Sequence, residues 1–137
     1  MWLTGAACNI LLKLEIPEDN VFEEMFLSAW NEYQIAPILE SKEKIRIGKC
    51  NKMELECAAC NILLMLEIPE DNVLEALSLF VKDESKIAPI LKSEEISVAG
   101  RCKKLTLSGR GAQKIHTKLG DWCEYLEEGK ESDADCE

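Results

Sequence analysis

Sixteen residues, AACNILLKLEIPEDNV at 6–21, return at 58–73 with one change, Lys13 becoming Met65. The offset of 52 holds without a gap well beyond that phrase. Ile35-Ala36-Pro37-Ile38-Leu39 matches Ile87-Ala88-Pro89-Ile90-Leu91, Ser41 matches Ser93, Gly48 matches Gly100, and Cys50 matches Cys102. A fainter third start follows, with Leu105 and Leu107 on Met53 and Leu55 and "YLEE" at 125–128 on "VFEE" at 21–24. A chain of 137 residues that repeats itself at such a period should stack supersecondary units that cannot bury their apolar faces alone. The division read from it is residues 1–52 for the first unit, 53–104 for the second, 105–130 for a partial third, and an acidic tail at 131–137.

Each unit reads as helix, turn, helix and a Pro-initiated segment. Ala6, Ala7, Ile10, Leu11 and Leu14 recur at helical spacing, and Cys8 and Leu12 widen the stripe. Pro17 and Pro69 should stop this helix, because the residue before proline is driven out of the α region. Asn20 with Glu23, and Asn72 with Glu75, have the spacing of a capping box opening a second helix over 20–32 and 72–84. Around Gly48 and Gly100 the pattern alternates about a turn residue, which suggests short β-hairpins. The expected fold is therefore mainly α, with α+β as the variant: tandem 52-residue helix-turn-helix repeats, about two and a half units.

Composition narrows the function classes. The net charge of −10 argues against nucleic acid or an anionic membrane as a partner for the surface as a whole, and no apolar run is long enough to span a bilayer. The apolar N-terminus lacks the basic start of a secretion signal, and its core recurs inside the chain. Seven cysteines without such a signal point to reduced thiols and a cytoplasmic or nuclear setting. Among them, Cys8 and Cys60 read as small buried hydrophobes.

Candidate chemistry is sparse. Cys57-Ala-Ala-Cys60 is the one CxxC, and with Cys50, Cys102, Cys123 or His116 it could bind zinc. It lies inside an apolar stripe, however, and the first unit has Gly5 in place of Cys57, so no metal and no cofactor is expected. "PEDN" lacks the alternating ligands and glycine of a calcium loop. His116, the sole histidine, sits in "KIHTKL" with no nucleophile signature, which reads as a solvated side chain and not as a catalytic base. The chain is accordingly read as non-enzymatic.

Two surfaces remain. Phe26 and Trp30 stand where the second unit has Ser78 and Lys82, and Phe80 stands where the first has Ser28. Aromatics at non-equivalent positions are candidate partner contacts, weighed against ordinary packing. Residues 101–118 hold six Lys/Arg and no acid, and Arg101, Lys103, Lys104, Arg110 and Lys114 could bind phosphate or nucleic acid. The simpler reading of that stretch is a positive face paired with an acidic helix after it, carrying Asp121, Glu124, Glu127 and Glu128. The function expected is a protein-protein interaction or assembly module with a protein partner, open to homo-oligomerisation. Nucleic-acid or phosphate-ligand binding through 101–118 is the alternative.

Overall fold

A computed structural model describes residues 1–17, 19–93, 96, 100–119 and 122–128. Its strands are β1 (Trp2–Thr4), β2 (Val21–Ala29), β3 (Ile45–Arg46), β4 (Lys49–Cys57), β5 (Leu66–Glu67), β6 (Val73–Leu74), β7 (Ala76–Phe80), β8 (Arg101–Ser108) and β9 (Cys123–Glu128). Between them lie 3-10 helices at Gly5–Leu12, Glu32–Ile35, Ala58–Leu64 and Glu84–Ile87, and short α-helices α1 (Ala36–Leu39), α2 (Ala88–Lys92) and α3 (Ala112–Leu119). The strands β1, β2, β4, β7, β8 and β9 lie side by side in that order, with β6 beside the start of β8. All of these pairings are parallel. β3 and β5 form a second, two-stranded parallel pair.

The chain is a solenoid. Trp2 pairs with Phe26, Phe26 with Glu54, Glu54 with Ser78, and Ser78 with Thr106. The steps from Trp2 to Phe26 and from Glu54 to Ser78 are equal and short. Those from Phe26 to Glu54 and from Ser78 to Thr106 are equal and longer. The sequence period is therefore two coils, a short one and a long one. In each coil a strand forms one wall and a helical segment the other. The core between them is built from Met25, Leu27, Leu55, Leu79, Ile35 and Ile87, each almost wholly enclosed. A recurring pattern makes the strand wall: Phe22-x-x-Met25-x-Leu27, Cys50-x-x-Met53-x-Leu55, Leu74-x-x-Leu77-x-Leu79 and Cys102-x-x-Leu105-x-Leu107.

This architecture corrects the mainly helical, helix-turn-helix expectation. The segment read as a second helix is strand in both units, β2 in the first and β6 with β7 in the second. Met25, Leu27 and Ala29 alternate with outward residues at period two, and parallel neighbours satisfy the backbone on both sides of β4, β7 and β8. The first helix exists in both units, but as 3-10 turns. The hairpins are absent among the described residues: β3 and β4 flank Gly48 yet belong to different sheets. Residues 97–99, the matching segment before Gly100, lie outside the described residues.

Asn20 and Asn72 are not helix caps. The buried Asn72 accepts from the Cys50 amide at 3.0 Å and donates to the Cys50 carbonyl at 3.1 Å, standing in for a strand neighbour. Pro17 and Pro69 open turns closed by the amides of Asn20 and Asn72, each 3.0 Å from the proline carbonyl. Gly48 and Gly100 cross these turns closely, with φ of 72° and 83°. The third start also shifts. Thr106 pairs with Glu127, a step shorter than either kind of coil, so Tyr125 occupies the place of Glu24 and not that of Val21.

Candidate functional site

The outward face of the strand wall is formed by the residues alternating with the core. Along its middle run Trp2, Phe26, Glu54, Ser78, Thr106 and Glu127, each beside the next. A second row holds Glu24, Lys52, Ala76, Lys104 and Tyr125. Trp2 is 73% exposed, and its ring lies 4.5 Å from that of Phe26, centroid to centroid, at a tilt of 40°. Beside the pair opens a cavity of about 350 Å³ lined by Glu24, Lys52, Glu54 and Ser78 as well as by the two rings. An aromatic pair ringed by carboxylates, an ammonium and a hydroxyl presents apolar area together with directional polar groups, the composition of contact hot spots.

Of the three aromatics singled out in the sequence, the structure places Phe26 in this face. Trp30, 59% exposed, follows β2 just past its end, its amide donating to the Gln34 side chain at 2.6 Å. Phe80 is only 8% exposed and packs with Cys57, so it offers little accessible surface. Sequence reasoning passes over Trp2, although a signal exists: Trp2 stands where the second unit has Glu54, the same kind of mismatch that marks Phe26.

Glu56 lies on the same face, beside Ser28. Burial raises its carboxyl above the ordinary range and neighbouring Glu54 adds to this, while a hydrogen bond with Ser28 opposes it. A raised value means that the folded protein holds this proton more tightly than the unfolded chain does. The group's stabilising contribution is therefore complete below the ordinary carboxylate pKa and is lost as pH rises through the raised value. Glu56→Gln should accordingly raise the melting temperature at pH 7 by about 1–2 °C and leave it nearly unchanged at pH 4, as read by circular dichroism.

Four of the five named positions of the basic segment pair with acids among the described residues. Arg101 pairs with Glu124 and Lys104 with Glu127, both on β9, which is a strand and not the acidic helix expected there. Lys103 pairs with Glu75 and Lys114 with Glu84. Arg110 also has a partner. The Gly111 amide, in the turn before α3, donates to the Val81 carbonyl at 2.9 Å, so it does not face a ligand.

The cysteines serve the wall. Cys8 donates to the carbonyls of Leu3 and Ser28, each at 3.6 Å, bridging its own coil to the next. Cys60 does the same toward Leu55 at 3.4 Å and Phe80 at 3.9 Å. Burial pushes both thiols up, and Cys50 to about 11, which keeps all three protonated and unreactive. Cys102 is lowered by a hydrogen bond with Cys123, whose own value rises correspondingly. Cys57, with φ of 58°, takes the left-handed position that Gly5 and Gly109 occupy one period to either side. Among the described residues no cluster of three or more His, Cys, Asp or Glu could hold a metal ion. His116 lies half-exposed on α3. No helix among the described residues is long and apolar enough to cross a membrane.

No family model, curated protein or solved structure matches this chain.

Proposed function

We propose that the chain is a non-enzymatic interaction module that receives a protein partner across the outward face of its strand wall, centred on Trp2 and Phe26. The carrying observation is the exposed Trp2–Phe26 pair beside a polar-rimmed cavity. Successive coils, in which a strand is followed by short 3-10 or α-helical segments, carry a repeated apolar-x-x-apolar-x-apolar wall. These are the features of leucine-rich-repeat solenoids, which present such a face to partners. An extended rigid sheet suits binding because little conformational freedom is lost when a partner settles on it. The paired cations of 101–118 leave little uncompensated positive charge there, so the nucleic-acid alternative gains no support from their arrangement.

The test is site-specific photo-crosslinking in the native cell. A photoreactive residue in place of Ser78, within the cavity, should trap a protein that the same residue in place of Lys92, on the helical wall, does not. Phe26→Ala with Trp2→Ala should abolish that product while leaving the melting temperature within about 3 °C, since both rings lie on the outer face. Equal trapping from both walls, or a product insensitive to the double substitution, would overturn the reading.

A further inference from the structure

The duplicated phrase occupies two different environments. In the second unit, Ala58, Ala59 and Ile62 are wholly buried, because the helical segment 58–64 is packed between the long coil before it and the long coil after it. In the first unit the same letters, Ala6, Ala7 and Ile10, are exposed, Ile10 by 46%, because segment 5–12 meets a coil on one side alone. Leu12, Leu14 and Val21 are exposed with it. The first coil of the described chain thus presents a bare cross-section with the composition of an interior coil. Terminal repeats of solenoids ordinarily carry a polar outer face.

At the opposite end of the described chain, β9 pairs only with β8, and Tyr125 and Leu126 are exposed. Apart from Trp30 and Tyr33, every exposed large apolar side chain among the described residues lies at one of these two ends. The ends also fit in kind. Inside the molecule a long-coil strand is twice followed by a short-coil strand in parallel, β2 by β4 and β7 by β8. In this alternation β9 takes the place of a long-coil strand, and β1 that of a short-coil strand.

We infer that the N-terminal face, Ile10, Leu12, Leu14 and β1, docks the β9 end of a second copy of this chain, continuing the solenoid head to tail. The twin of the same sixteen residues is covered by a long coil of this very sequence, and β9 stands where such a coil has its strand. Such a contact is heterologous, so it propagates or closes into a ring and does not stop at a two-fold dimer. Trp2, in β1, borders both this docking face and the outer sheet face.

Sedimentation velocity under reducing conditions, from about 1 to 500 µM, tests it. The wild-type protein should gain mass with concentration beyond a dimer. The double variant Ile10→Glu, Leu12→Glu should remain monomeric, with an unchanged circular dichroism melt showing that it is folded. Added to wild-type protein, it should shorten the assemblies, because its β9 end is intact and its docking face is not. A wild-type monomer over the whole range would overturn the inference, as would undiminished association of the variant. A wild-type dimer that the variant neither enters nor shortens would overturn the head-to-tail arrangement.

Discussion

Asn61→Ala should lower stability by about 3–5 kcal/mol, one of the largest losses available to a single truncation in this chain. The Asn61 side chain is wholly buried and has three partners. Nδ2 donates to the Ala58 carbonyl at 3.0 Å and to the Lys86 carbonyl at 2.8 Å, and Oδ1 accepts from the Ile90 amide at 3.3 Å. It ties its own helical turn to both helical segments of the next coil, and Ile90 is itself completely enclosed. Truncation would strand the Ala58 carbonyl and the Ile90 amide in the buried interior and the Lys86 carbonyl at its edge, each buried group costing about 1–3 kcal/mol before relaxation. The equivalent Asn9 makes the two donations, to Ala6 and Gln34, but its Oδ1 has no partner among the described residues and its coil has a neighbour on one side alone. Asn9→Ala should therefore cost about 1–2 kcal/mol. Urea unfolding of the two variants checks the ranking, and equal midpoints would show that the second coil face contributes nothing.

Gly109→Ala should cost at least about 3 kcal/mol, lowering the melting temperature by roughly 10 °C. Gly109 has φ of 87°, and a β-carbon there would overlap the Val81 carbonyl oxygen and lie 2.6 Å from its carbon. Those atoms are backbone held in place by the wall, since the Val81 amide donates to the Ser108 carbonyl and the Val81 carbonyl accepts from Gly111. Gly5, at the corresponding place in the first unit, separates strain from collision. Its β-carbon would meet nothing nearer than the end of the Gln34 side chain at 3.2 Å, which can move. Gly5→Ala should thus cost only the left-handed penalty, about 1–2 kcal/mol. Cys57 shows that a side chain can be held in that conformation.

The period was legible in the letters, and so was the burial of Cys8 and Cys60. The strand wall was not. β2 is written in Glu, Met, Phe and Leu, residues that serve a helix as well as a strand, and Asn20 with Glu23 imitates a helix start. What decides the matter is non-local: the backbone partners of β2 lie a full coil before it, in β1, and a full coil after it, in β4. Local spacing carries no record of them, although the strict alternation Leu77-Leu79-Val81 and its twin Met25-Leu27-Ala29 was the available signal. The candidate site was half legible for a related reason. Mismatch between the copies marked Phe26, which lies on the outward face beside Trp2, and Phe80, which is nearly enclosed; only the packing beside Cys57 separates the two.

The alternation of short and long coils has a consequence for how such a chain can grow or shrink. Asn61 bonds forward onto a long coil, and Asn72 bonds back within a short one. Each kind of coil is therefore shaped to neighbour the other kind, never its own. Removing a single coil of either length would bring two of one kind together, and removing the long coil after Asn61 would leave that side chain facing the wrong backbone. Removing or inserting a full period would restore every pairing one step along. The smallest tolerated edit in length is therefore the pair of coils, and a near-verbatim copy of that pair is the form in which this chain repeats itself.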